Sequence, residues 1–400
     1  MKRPLAVTFL AVLLTQGAAR DLAAQDLVIT NARIIVGNGN VINQGSLVIR
    51  AGRIVAVAQG AANGQTAPTI DAKGMTVMPG FIDAHRHIIN GNDAQWFREQ
   101  SVVRMQEFLE AGYTTLMSGG GPVPGIIELK QRVDKGELTG PRIITSGRAD
   151  TNLKTADEAR AQVRMFAQAG VEIIKARIDN EAEPRQVEML AVITDEARKH
   201  RLDVMVHAAT VPAMLGAVKA GAAKLVHTPH AGWLSESDAR IVANAGIETL
   251  STIGFGVPVF GVFNETNVPT FRDGKPWPEG ISDDGGGGRG REAGEKAVNA
   301  RTLWDAGVTY GFGTDTGYHP KAGLAHELRA LNLMFSMQDI IRLMGPNTAA
   351  FIDKSRDLGT LEPGKLADIV ILDGNPLDGY WNLLNATVVV KGGVIVVDKR

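Results

Sequence analysis

Through the middle of the chain, short apolar runs alternate with longer stretches whose apolar positions recur at helical spacing. The runs that read as strands are Phe81 to His87, Thr114 to Ser118, Arg142 to Ser146, Val171 to Ala176, Asp203 to His207, Ala223 to His227, Ile247 to Ser251 and Thr309 to Thr314. Between them, Thr155-x-x-Glu158, Ser235-x-x-Asp238 and Ser336-x-x-Asp339 open helical stretches as capping boxes, and Gly170, Gly246 and Gly345 stand where such helices stop. Eight strands separated mostly by helices predict an α/β fold, a (β/α)8 TIM barrel, for which roughly 250 residues is typical.

Both ends of the chain change rhythm. Leu27 to Thr30, Arg33 to Val36, Ser46 to Ile49 and Arg53 to Val57 read as short strands, with Asn38-Gly39 and Ala51-Gly52 as turns. Ala367 to Leu372, Thr387 to Lys391 and Val394 to Asp398 answer them at the other end, the last two as a hairpin around Gly392-Gly393. The expected organisation is therefore a composite β-sandwich domain over 26–78 plus 357–400, and a barrel over 79–356. One connection breaks the alternation. From Ser251 to Thr309 the chain carries four prolines and a glycine run at Gly285 to Gly288, which reads as a loop at the barrel mouth.

Composition adds three restrictions. Of 400 residues 44% are hydrophobic, enough for a large core, and 42 basic against 43 acidic residues argue against nucleic acid or an anionic membrane as partner. Residues 1–25 have the layout of a signal peptide: Lys2 and Arg3, an apolar run from Pro4 to Leu14, then small residues. The expectation is an exported chain, periplasmic or secreted, with no membrane association after cleavage. There is no cysteine, so disulfides, thiolate zinc sites and thiol nucleophiles are excluded.

The chemistry gathers at strand ends. In Phe81-Ile82-Asp83-Ala84-His85-Arg86-His87 the two histidines are two residues apart on a strand, share a face and can grip one cation. Lys175 closes an apolar strand in which Val171 and Ile173 share its face, so it points into the site if those two fill the barrel interior. Taken alone it reads better as a lysine reaching from a strand end to solvent. His207 and His227 end the next two strands, and Asp315 follows the last, where a helix cap or turn residue competes with a catalytic reading.

This order resembles the amidohydrolase superfamily, whose hallmark Pro79-Gly80-Phe81-Ile82-Asp83-x-His85-x-His87 and later Gly359-Thr360-Leu361-Glu362-Pro363-Gly364-Lys365-Leu366-Ala367-Asp368 both occur here. The resemblance covers nearly the whole chain after residue 25. It is closest to the imidazolonepropionase-like branch that includes metal-dependent dipeptidases and N-acyl-amino-acid hydrolases. The chain departs from it at Ser146 to Asp150, where many relatives carry a Gly-His-rich segment.

The resemblance implies a two-metal site: His85, His87 and Asp315 on the more buried ion, His207 and His227 on the more exposed one, and Lys175, carbamylated by CO2, on both. Nitrogen and oxygen ligands without thiolate suit zinc, with manganese, cobalt or iron as other candidates. The expected reaction is cleavage of an amide or peptide C–N bond, in a dipeptide or N-acyl amino acid, by metal-activated hydroxide with Asp315 as base and then acid. Arg177, Arg148, His230, Tyr318 and His319 lie on loops at the same end and are candidate contacts for a small-molecule substrate. Alternatives are the same metals acting on a lactone, cyclic amide or phosphotriester, and a non-catalytic ligand-binding protein. A mononuclear deaminase fits less well, because no glutamate follows His207. The reading leaves room for a homo-oligomer.

Overall fold

The computed structural model describes residues 26–62, 67–254, 288–316 and 319–400, together with the short paired strands Phe271–Arg272 and Lys275–Pro276. The leader assignment, most of the connection after Ser251 and Tyr318 lie outside them. Among the described residues no helix is long and apolar enough to cross a membrane.

The middle of the chain is a TIM-barrel-like arrangement of parallel strands and outer helices. Phe81–Arg86, Tyr113–Ser118 and Arg142–Ile144 form one parallel arc. Ser146–Arg148, Ile173–Arg177, Asp203–His207, Lys224–Leu225, Glu248–Leu250 and Tyr310–Gly311 form a second. The expected third strand is thus split at Thr145, half in each arc. At the other seam the first strand meets the segment after the last: Ala84 N–H donates to Phe312 O at 3.1 Å, Asp315 N–H to His85 O at 2.9 Å and His87 N–H to Thr316 O at 3.2 Å.

An apolar layer fills the space between the strands, built from Ile82, Ala84, Met117, Ile144, Ile173, Met205, Val226 and Leu250 and closed below by Phe351 and Leu358. Ile173 and Met205 stand two residues before Lys175 and His207, so strand alternation raises those side chains directly above this floor. Val171 departs from expectation. It precedes the strand and joins the outer cluster beneath the helices.

The helices pack in sequence around the strands, Ala156–Ala169 on Pro184–Lys199, then Val211–Lys219, Glu236–Asn244 and Gly288–Asp305. Their starts follow local chemistry. Thr155 and Ser336 make complete capping boxes with Glu158 and Asp339, and Ser235 caps through its hydroxyl to Asp238 N–H. Gly170 ends its helix in the left-handed region at φ 83°, which only glycine enters without strain.

Gly345 does not stop a helix. It lies inside the π-helical stretch Leu343–Asn347, which continues into Thr348–Phe351. A Cβ there would stand 2.7 Å from the Gly359 carbonyl oxygen, so the glycine serves a close backbone approach instead.

The two ends of the chain share one eight-stranded sheet, ordered Val394–Asp398, Ala386–Lys391, Ile369–Leu372, Thr76–Pro79, Leu27–Ile35, Val41–Arg50, Arg53–Gln59, with Thr69–Asp71 also on Leu27–Ile35. It curls far enough for Arg53, at one edge, to bridge Leu366 just before Ile369–Leu372. The two short strands expected before residue 37 are one strand with a bulge, where Asn31 takes φ 51° and its amide holds Asp71. Arg142, at the foot of the split strand, donates to Asp368 Oδ2 at 2.6 Å and ties this sheet to the parallel strands.

Candidate metal centre

Asp315 is the point on which the strand ends converge. Its Oδ1 lies 3.1 Å from His85 Nε2 and 3.0 Å from His87 Nε2, and its Oδ2 lies 3.9 Å from His227 Nδ1. Lys175 Nζ stands 3.2 Å from His85 Nε2. The His227 ring lies 5.3 Å from that of His85 and 4.4 Å from that of His207, centre to centre. All six residues singled out at strand ends therefore surround one space. His85, Lys175, His227 and Asp315 are buried; His87 and His207 are half-buried, on its open side.

The protonation states suit cation binding. Burial, reinforced by the Lys175 charge, brings His85 down to about 4 and His207 to about 3, and burial brings His227 well below the usual range. All three are neutral near pH 7, the form that offers a lone pair. Burial alone would raise Asp315, but His85, His87 and His227 around it hold its carboxyl well below the ordinary range. Burial, together with the Arg148 and Arg177 charges, lowers Lys175 to about 7 despite Asp315.

One donor set meets the demands of a divalent ion: ligand atoms of His85, His87 and Asp315 all lie within 4.8 Å of one another. His85 Nδ1, wholly buried, has no hydrogen-bond partner among the described residues. Imidazoles and a carboxylate without thiolate form the N/O set that zinc accepts.

A second layer of side chains fixes these ligands. Asp83, fully buried, accepts from the backbone N–H of His85 and Thr314 at 3.1 Å each and from the Thr314 hydroxyl at 2.6 Å. Arg86, also fully buried, donates to that hydroxyl at 2.8 Å with its guanidinium over the Phe108 ring. Thr252 holds one ring: its hydroxyl lies 2.9 Å from His227 Nδ1 and 3.3 Å from the Val226 carbonyl oxygen, and when its proton is on the carbonyl it accepts from Nδ1–H, which leaves Nε2 as the lone pair. Thr252 itself takes φ 41°, and the residues after it are held by Glu327, whose two oxygens accept from Ile253 N–H at 2.8 Å and Gly254 N–H at 2.7 Å. Only Asp83 carried a sequence signal, two residues before His85.

The expected substrate contacts are distributed unevenly. Arg177 is paired in register with His207 and donates through Nε to Asp179 at 2.9 Å. Arg148 is paired with Lys175 and is exposed. His230 is half-buried and lowered to about 4 by burial and Lys296; its N–H donates to Ala209 O at 2.8 Å, joining the loops after two successive strands. His319, exposed with φ 28°, lines a cleft with Glu107, Glu110, Lys321 and Lys399 and is not among the side chains around Asp315.

Comparison with known proteins places the chain in a family. The sequence profile of the amidohydrolase family matches residues 76–397. Similar curated proteins include the imidazolonepropionases of Thermoanaerobacter pseudethanolicus, 22% identical over 88% of this chain and 90% of that protein, and of Geobacillus thermodenitrificans, 24% identical over 90% and 91%. Solved structures with the same fold include a Xaa-Pro dipeptidase with methionine in its active site, at a TM-score of 0.72 and 21% identity over 93% of this chain and 100% of that one. The ochratoxinase of A. niger aligns at 0.73 and 20% identity over 94% and 96%.

Proposed function

The chain belongs to the amidohydrolase family, a hydrolase acting on carbon–nitrogen bonds, and from that premise we propose that it cleaves an amide or peptide bond beside a carboxylate, in a dipeptide or N-acyl amino acid. The observation that carries the reading is the convergence of His85 and His87 on one oxygen of Asp315, with Lys175, His207 and His227 around them. The dipeptidase and imidazolonepropionase names of its relatives agree with a carbon–nitrogen bond as target.

In this proposal His85, His87 and Asp315 would hold one divalent ion and His207 and His227 a second, with Lys175, as a carbamate, supplying an anionic ligand to both. Two zinc ions held there would acidify water and polarise the scissile carbonyl. Burial first, and then the Arg148 and Arg177 charges, disfavour an ammonium at Lys175; the two arginines would attract the anion that the neutral amine forms by adding CO2 with loss of a proton. Asp315 takes a proton from the attacking water and delivers it to the leaving nitrogen. With the Thr252 hydroxyl against its Nδ1, His227 would present Nε2. The half-buried His87 and His207 mark the side from which substrate enters, and Arg177 offers its two terminal nitrogens to the substrate carboxylate.

The proposal includes a closed eight-stranded barrel over 79–356, a β-sandwich from 26–78 plus 357–400, and an exported chain whose first 25 residues are removed. Metal content decides the site. Protein reconstituted with zinc in isotope-labelled bicarbonate is expected to hold two ions per chain and a labelled carbamate, and Lys175→Ala is expected to lose the label and metal together. One ion per chain without label in the wild type would contradict the bridging role of Lys175.

A further inference from the structure

The two arginines at the mouth are not equivalent, and the difference bears on what the site accepts. In the parallel ladder Arg177 stands opposite His207, and Arg148 opposite Lys175. A Cβ built on Gly120 would lie 3.6 Å from both Arg148 Cβ and Lys175 Cβ, so these side chains leave their strands toward the same space, and the glycine keeps it open. Arg177 has a carboxylate partner in Asp179, which also takes a hydrogen bond from Gln186 at 2.7 Å. That contact engages Nε alone. Arg148 has no carboxylate or hydrogen-bond acceptor for its guanidinium among the described residues.

Arg148 is exposed and its guanidinium has no protein acceptor among the described residues, so beside Lys175 it is free to take an anion that arrives with the substrate. One carboxylate satisfies Arg177. It leaves Arg148 without one.

The geometry points to a substrate with two carboxylates: an N-acyl derivative of aspartate or glutamate, or a dipeptide ending in one of them, with one carboxylate on Arg177 and the other on Arg148. This rests on the hydrolase reading above and adds the chemical class of the leaving amino acid. Arg148 is then a specificity residue, bonding a group that neutral substrates lack.

The test uses the zinc-loaded chain in bicarbonate and two isosteric pairs, Ala-Glu against Ala-Gln and N-acetylglutamate against N-acetylglutamine. The expected kcat/KM ratio of acid to amide is about tenfold or more, as one charged hydrogen bond provides. In Arg148→Met it is expected to fall close to one, and Arg148→Lys is expected to recover part of it. Equal rates on acid and amide in the wild type would overturn the inference and leave the hydrolase reading standing. So would an Arg148→Met variant that slows both members equally, since Arg148 would then act on the lysine and not on the substrate. Should none of the four compounds turn over, binding decides: glutarate is expected to raise the thermal midpoint of the wild type, but not of Arg148→Met, above the effect of glutaramate. Equal shifts from the two compounds would overturn the inference.

Discussion

Asp315 takes φ 51°, a conformation that costs a non-glycine residue of order 1 kcal/mol or more and persists where the surroundings fix it. Here the fixing bonds are its own N–H to His85 O and the contacts of its carboxylate with His85 and His87. Replacing it by Asn keeps the shape and the φ tolerance but removes the charge and the proton acceptor. Turnover of Asp315→Asn is therefore expected to fall about 10²- to 10⁴-fold in steady-state assays, and full turnover with metals retained would remove Asp315 from the mechanism. Thr252→Val deletes the hydroxyl that contacts His227 Nδ1. Zinc affinity measured by chelator competition is expected to weaken about 10- to 100-fold, with Thr252→Ser recovering most of it. Unchanged affinity in the valine variant would show that the hydroxyl does not orient the ring. The four histidines were legible as strand-end residues, whereas Lys175 and Asp315 joined the set only through the family resemblance. Thr252, Arg86 and Glu327 were not legible, since their roles depend on chain segments far apart in sequence, and a buried arginine or glutamate reads as a solvated one.

At the scale of elements, local chemistry was legible where it acts within a few residues. The boxes at Thr155 and Ser336, the left-handed Gly170 and the hairpin at Gly392-Gly393, with φ 55° and 81°, were all readable from spacing. Gly345 was misread because its reason lies fourteen positions on, in the carbonyl of Gly359. Gly359, at φ 89°, would in turn place a Cβ 2.9 Å from Gly345 O, so the two glycines pack backbone to backbone under the strands. Gly345→Ala is expected to destabilise the fold by about 1–3 kcal/mol in urea unfolding. A loss within the noise of such a measurement would show that the π-helical turn yields freely. The split of the third strand at Thr145 and the bulge at Asn31 were also illegible, because register belongs to the pair of strands and not to either sequence.

For the molecule as a whole, the alternation of strands and helices and the meeting of both chain ends in one sheet followed from the sequence pattern. The ionic ties that set the parts against each other, such as Arg142 with Asp368, did not. One such buried group makes stability depend on pH. Glu327, fully buried, is raised from 4.5 to about 7 by burial, which outweighs the hydrogen bonds from Ser251, Gly254 and Ile253. The folded state then keeps a proton that the unfolded chain releases between those values. Its contribution is greatest below the unfolded value and is lost as pH rises through the folded one, by about 3 kcal/mol in all. In metal-free protein the wild type is therefore expected to lose stability relative to Glu327→Gln between about pH 5 and about pH 8. A pH-independent difference would show that Glu327 is ionised throughout. The central claim, that the converging ligands make this chain a metal-dependent hydrolase of carbon–nitrogen bonds, is tested most directly by mass-spectrometric turnover of a mixed library of dipeptides, N-acyl amino acids, cyclic amides, lactones and phosphotriesters. The zinc-loaded chain in bicarbonate is compared with the same chain stripped by chelator. The account predicts loss of dipeptides or N-acyl amino acids only when metal is present. Turnover that survives the chelator, or metal-dependent loss confined to lactones or phosphotriesters, would contradict it.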